Sequence, residues 1–153
     1  MRGLMLAAAC GALMLASAVY AETPGESGAV VRGEATISGG FGPREQALHP
    51  GSDVAAAPGT TVHAPADGQV VAVHAPGEVS GYHGQVLEID HGDWGKTRFS
   101  NLAGVTLSVG DQVRAGDVLG HIAAREAPHV HVELWRDARP VDPALEMTLI
   151  AGR

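Results

Sequence analysis

Apolar and polar residues alternate with a period of two in short runs at 61–64, 69–73, 85–89, 97–99, 112–113, 118–122 and 130–134. In a strand, successive side chains point to opposite faces, so each run reads as a β-strand with one buried side. Turn-forming groups separate the runs: Ala-Pro-Gly at 57–59, Ala-Asp-Gly at 66–68, His-Gly-Asp at 91–93 and Val-Gly-Asp at 109–111. The pattern predicts an all-β domain almost without helix. The one helical signal is Asp142-Pro143 ahead of a short apolar stretch, which predicts a single closing turn over 142–147.

The first residues follow a different rule. Arg2 precedes an uncharged stretch at 4–19, which ends in Val19-Tyr20-Ala21 with small residues at both flanks. This is the layout of a secretory signal peptide over 1–21, with cleavage before Glu22. The stretch is shorter than the roughly 20 apolar residues that span a bilayer. Residues 22–33 are small, polar and turn-rich and predict a flexible leader. The folded domain is expected at 34–147, with a tail at 148–153.

Composition narrows the classes. A chain of 153 residues predicts one domain. Ten Lys+Arg against 17 Asp+Glu give −7, which argues against a surface built to neutralise nucleic-acid phosphates. Gly 21 and Pro 9 suit a turn-rich β-chain. A single cysteine, Cys10, closes no disulfide within the chain and builds no paired-cysteine zinc site. Any metal must therefore be held by His, Asp or Glu.

Two segments carry such groups. In His49-Pro-Gly-Ser-Asp53 a glycine-containing stretch lets the chain curl, so that both side chains can meet one ion. In His129-Val130-His131 the two imidazoles lie two apart on a strand and face one space. His, Asp and His supply three candidate ligands and leave a fourth tetrahedral position for water, as in a catalytic rather than a structural zinc site. The other histidine of the pair then has a separate role. His63, His74 and His91 sit beside turns and are expected to have surface or turn-capping roles. His83 and His121 are candidates to approach the metal. Glu133 either orients an imidazole or is a plain strand-face carboxylate. Trp94 and Trp135 are expected in core or edge packing.

The ordered series Ser38-Gly39-Gly40-Phe41-Gly42-Pro43-Arg44, HPGSDVAAAPGTTVHAPADGQVV, GYHGQVLEIDHG, VGDQVRAGDVLG, PHVHVEL and Pro140-Val141-Asp142-Pro143 resembles the LytM or lysostaphin-type peptidoglycan metallopeptidases, peptidase family M23. The likeness runs from about Glu34 to Met147. It implies a single domain of antiparallel sheets forming a groove, of the duplicated hybrid motif type, with one Zn²⁺. It further implies cleavage of stem or cross-link peptides of peptidoglycan. With the export signal the periplasm is the first expected location, the extracellular space or cell envelope the alternative, and the expected state is a monomer. By position, His49, Asp53 and His131 resemble the zinc ligands, His129 resembles a catalytic histidine, and Arg44 is placed at the groove rim as a substrate-binding candidate. One position departs from the family. Where a Tyr/Phe-x-His-Leu segment carries a second catalytic histidine, this chain has Phe99-Ser100-Asn101-Leu102. Asn101 can donate a hydrogen bond to a water or a carbonyl, but it cannot relay a proton near neutral pH. The 121–127 connection and the segment before His49 also look short for the family, which predicts an open groove.

Asn101 sustains a second expectation, a non-catalytic zinc- or wall-binding module that acts on another cell-wall hydrolase. A third, a biotinyl or lipoyl carrier suggested by 108–119, fails on its lysine. Lys96 is the only one, and it stands in Trp-Gly-Lys-Thr rather than in a carrier's attachment motif.

Overall fold

The computed structural model describes residues 28–152; the expected signal peptide lies outside them. Fourteen short strands follow one another with one turn of α-helix among the described residues. The first five are β1 (Val31–Arg32), β2 (Thr36–Gly39), β3 (Gly42–Pro43), β4 (Leu48–His49) and β5 (Gly51–Ala55). The central ones are β6 (Thr61–His63), β7 (Gly68–His74), β8 (Gln85–Asp90), β9 (Lys96–Ala103), β10 (Gln112–Val113) and β11 (Val118–Ile122). The chain closes with β12 (His129–Arg136), β13 (Arg139–Val141), α1 (Pro143–Glu146) and β14 (Ile150–Ala151). Twelve strands join one barrel-like sheet, and β3 and β4 form a separate ribbon. The fold class is the expected all-β one. The closing helical turn is also present, with the Asp142 carboxylate accepting from the Ala144 N–H at 2.9 Å as its N-cap.

The strand pattern predicts the core correctly. Val130, Val132 and Leu134 on β12 are fully buried, as are Leu87 and Ile89 on β8 and Phe99 on β9. Period-two alternation then sends His129, His131, Glu133 and Trp135 to the other face of β12. That face is the floor of the site.

The packed unit extends beyond the limits read from composition. Ala29, Val30 and Val31 are fully buried, and Val31 pairs with Ile150 and with Val62. Residues 29–31, expected to belong to a flexible leader, are thus packed into the core, with Val31–Arg32 joining the sheet, as does Ile150–Ala151 of the expected 148–153 tail. The short run Ala-Val-Val-Arg is apolar enough to sit between β6 and β14 once they flank it, which a local pattern does not reveal.

Strand β9 changes partner along its length. Lys96 to Ser100 pair with β12, whereas Leu102 and Ala103 pair with β11. Asn101 sits at the switch with φ 61°, and the facing register with β8 slips there, between Gln85 and Leu87. A left-handed backbone at a bulge favours Asn among side-chain-bearing residues. The bulge turns residue 101 out of the ladder and towards the groove.

Candidate functional site

A groove of about 570 Å³ lies over the exposed face of β12, lined among others by His49, Asp53, Asn101, Arg125, His129 and His131. A second hollow of about 630 Å³ lies farther along the same sheet face, around Glu88, Lys96, Arg98 and Trp135. It contains none of the candidate ligands.

Three strands bring the ligand candidates together. Antiparallel pairing sets His131 directly opposite Asp53, and Asp53 is also the partner of Gly39 on β2. A β-carbon at Gly39 would stand 2.3 Å from Asp53 Oδ2, so only glycine leaves room for the carboxylate. His49 arrives from β4, its ring 4.9 Å from that of His131. One donor atom from each of His49, Asp53 and His131 lies within 4.8 Å of the others.

Hydrogen bonds at the rear of each ring fix which nitrogen faces the centre. His49 Nδ1–H donates to the Gly40 carbonyl at 2.7 Å, His129 Nδ1–H to the Ala127 carbonyl at 2.8 Å, and His131 Nε2–H to Glu133 Oε1 at 3.0 Å. Arg44 Nη2 is 3.0 Å from His49 Nδ1, but the carbonyl is closer and must receive a proton, so the Gly40 bond sets the tautomer. Ala127 holds its carbonyl in place with φ 50°. The opposite nitrogens converge on one carboxylate. His49 Nε2 is 3.4 Å from Asp53 Oδ2, and His129 Nε2 and His131 Nδ1 are 3.7 and 2.8 Å from Oδ1. Lone pairs on nitrogen and oxygen that face one another at these distances need a cation between them. Two neutral imidazoles and a carboxylate suit Zn²⁺ in donor type and number.

Without a metal the proton plays that part. Burial pulls His131 down, but its hydrogen bonds to Asp53 and Glu133 outweigh this and push it up to about 9. Burial raises Asp53, yet the His131 hydrogen bond and the neighbouring histidines hold it below the usual carboxylate range. Glu133 is driven the same way, upward by burial and more strongly downward by bonds from His131, Tyr82 and Trp135.

Glu133 is fully buried and accounts for most of what the sequence left undecided. Besides His131 it accepts Tyr82 O–H at 2.6 Å and the Trp135 indole N–H. Arg98 donates to the Tyr82 oxygen at 3.0 Å and to Glu88 at 2.9 Å. Glu133 is therefore the orienter of an imidazole rather than a plain face carboxylate, and Trp135 braces it. Tyr82 and Arg98 carried no signal of their own. Only the register pairing Glu133 with Arg98 and Arg98 with Glu88 brings them in.

The remaining candidates divide. Asn101, 3% exposed, lines the groove beside His129 and His131. Its backbone N–H donates to the His83 carbonyl at 2.7 Å, its carbonyl accepts from Ala123, and its side chain meets Arg125. His83 also lines the groove, whereas His121 does not and packs beside Gly104. Arg44 leans on Asp53 Oδ2 at 3.6 Å from outside the groove lining. His91, read from sequence as a surface or turn residue, is 2% exposed and bonded on both sides, because the turn folds back over the sheet.

Comparison with known proteins gives the family. The model of Peptidase family M23 matches residues 47–143. The DD-carboxypeptidase/endopeptidase Mpg of Neisseria meningitidis serogroup B is 34% identical over 99 residues, 63% of this chain and 22% of that protein. The peptidoglycan DD-endopeptidase ShyB of Vibrio cholerae is 30% identical over 116 residues, 69% of this chain and 26% of that one. The matched part thus spans about a quarter of the length of these relatives. Among solved structures, a zinc containing peptidase from Vibrio cholerae is 31% identical with a TM-score of 0.61, over 70% of this chain and 35% of that one. The catalytic domain of lysostaphin from Staphylococcus simulans shares the fold, with a TM-score of 0.62 at 24% identity, over 72% of this chain and 90% of that one.

Proposed function

The chain belongs to peptidase family M23, and from that premise we propose that it is an exported, periplasmic, monomeric zinc endopeptidase acting on the stem or cross-link peptides of peptidoglycan. The expected signal peptide at 1–21 belongs to the same reading. The observation that carries it is the convergence of three rear-anchored imidazoles on the single carboxylate of Asp53.

His49, Asp53 and His131 would hold the ion. Zn²⁺ supplies Lewis acidity for the scissile carbonyl and a water whose pKa is lowered to about 7. Gly40 and Glu133 keep the ligand rings turned inward, and Gly39 leaves space for the carboxylate. His129 accepts and returns the proton at Nε2, because its Nδ1–H is committed to the Ala127 carbonyl. Asn101 contributes hydrogen bonds but relays no proton. A missing proton-transfer group costs about 10²- to 10⁴-fold in rate, so His129 working alone implies a slow enzyme.

Digestion of purified sacculi by the zinc-loaded full chain tests this. Muropeptide release that disappears in His131→Ala, together with bound zinc, is the expected result. Failure to hold zinc even when it is supplied would overturn the reading. Asn101 also favours a second one, a zinc-holding module that regulates another wall hydrolase. That reading gains if the parent binds zinc without cleaving and Asn101→His creates activity.

A further inference from the structure

The lining of the groove includes a pair of side chains that proton transfer does not use. Arg125, in the turn between β11 and β12, donates from Nη1 to Asn101 Oδ1 at 2.7 Å. A guanidinium has no acceptor, so the amide oxygen must face it, and the amide N–H₂ is the end left to others. Asn101 itself cannot swing away. It is 3% exposed, fixed at φ 61°, and its backbone is held from both sides by His83 and Ala123.

Arg125 spends one N–H on this bond and forms no ion pair within 4.0 Å among the described residues. The carboxylates of the groove are already committed, Asp53 to three histidines and Glu133 to His131, Tyr82 and Trp135. Beside the candidate metal ligands the groove therefore carries a guanidinium with N–H groups to spare and an amide whose oxygen is already occupied. A planar fork of N–H donors next to an amide N–H₂ matches a carboxylate in charge and geometry.

We infer that Arg125 and Asn101 together bind a free carboxylate of the substrate peptide, its C-terminus, close to the scissile bond. This rests on the hydrolytic reading above and narrows it: the preferred substrates are peptides with a free C-terminal carboxylate rather than internal positions of long cross-linked chains. Asn101 then has a positive role at the place where the family carries a histidine. Its amide positions the guanidinium, and its N–H₂ adds a donor.

The test uses the zinc-loaded full chain and two synthetic stem-type peptides, identical but for a free or an amidated C-terminus. Initial rates and binding by calorimetry are measured for both. The free acid should be favoured by about 10- to 100-fold, the worth of a charge-assisted hydrogen bond. Arg125→Ala should bring the acid-to-amide ratio close to one, with the change in KM rather than kcat, and Arg125→Lys should restore part of it. Rising salt should erode the preference in the parent and not in Arg125→Ala. Equal rates and equal affinities for acid and amide in the parent would overturn the assignment. So would an Arg125→Ala loss that falls equally on both peptides, which would mark Arg125 as an oxyanion or structural group. If the chain holds zinc but cleaves neither peptide, the hydrolytic reading fails by itself. The calorimetric comparison still decides the carboxylate site, with tighter acid supporting it and equal affinity overturning it.

Discussion

His131, on β12, and His91, in the β8–β9 turn, are both buried histidines, 9% and 2% exposed, and both rings are bonded at each nitrogen. His131 lies between two carboxylates and is pushed up to about 9. His91 donates to the Asp67 carbonyl at 2.7 Å and accepts from Thr97 Oγ1 at 2.7 Å; burial dominates and pulls it below 6.5. The depth of burial is similar, and the charge of the partners sets opposite outcomes. A ring between neutral partners is a stable strut, and a ring between anions is a place for a cation.

Substitutions can break this contrast, beginning with the strongest. His131→Ala should take zinc content and peptide hydrolysis to background while the fold persists, as read by metal analysis and circular dichroism. Glu133→Gln keeps the shape but removes the charge behind His131, and should weaken zinc binding by about 10- to 100-fold in a chelator competition. His91→Leu should leave zinc stoichiometry unchanged and lower stability by about 1–3 kcal/mol, because the Asp67 carbonyl and the Thr97 hydroxyl lose their partner. Equal loss of zinc in His91→Leu and His131→Ala would erase the distinction.

The smallest effect is in pH. Since the folded pKa of His91 lies below 6.5, the unfolded chain takes up the proton first. The stability tied to His91 is full above about 6.5 and drains as pH falls from there towards the lowered value. Denaturant titrations from pH 7.5 to 5 should show a shallower decline in His91→Leu than in the parent.

Much of the site was legible because its chemistry depends on spacing. Two histidines two apart on a strand must share a face, and HPGSD places His49 and Asp53 within a short curl of chain. Glu133 was legible only as one of two options, since the residue two along from His131 is on the right face whether or not it touches the ring. Tyr82, Arg98 and Arg125 carried no comparable mark. They come from separate segments, and their roles depend on which strands lie side by side. The same limit hid β1 and β14, whose few apolar residues become core only when paired with each other and with β6.

Composition and alternation by themselves determined an all-β chain, the face of β12 that is buried, and a candidate His/Asp ligand set free of cysteine, because each follows from local geometry or from counting. Tertiary structure decided which ring nitrogens point at Asp53, which carboxylate stands behind His131, and which cation lies beside Asn101. Those depend on register, and register is fixed by the packing of whole strands rather than by the residues that profit from it.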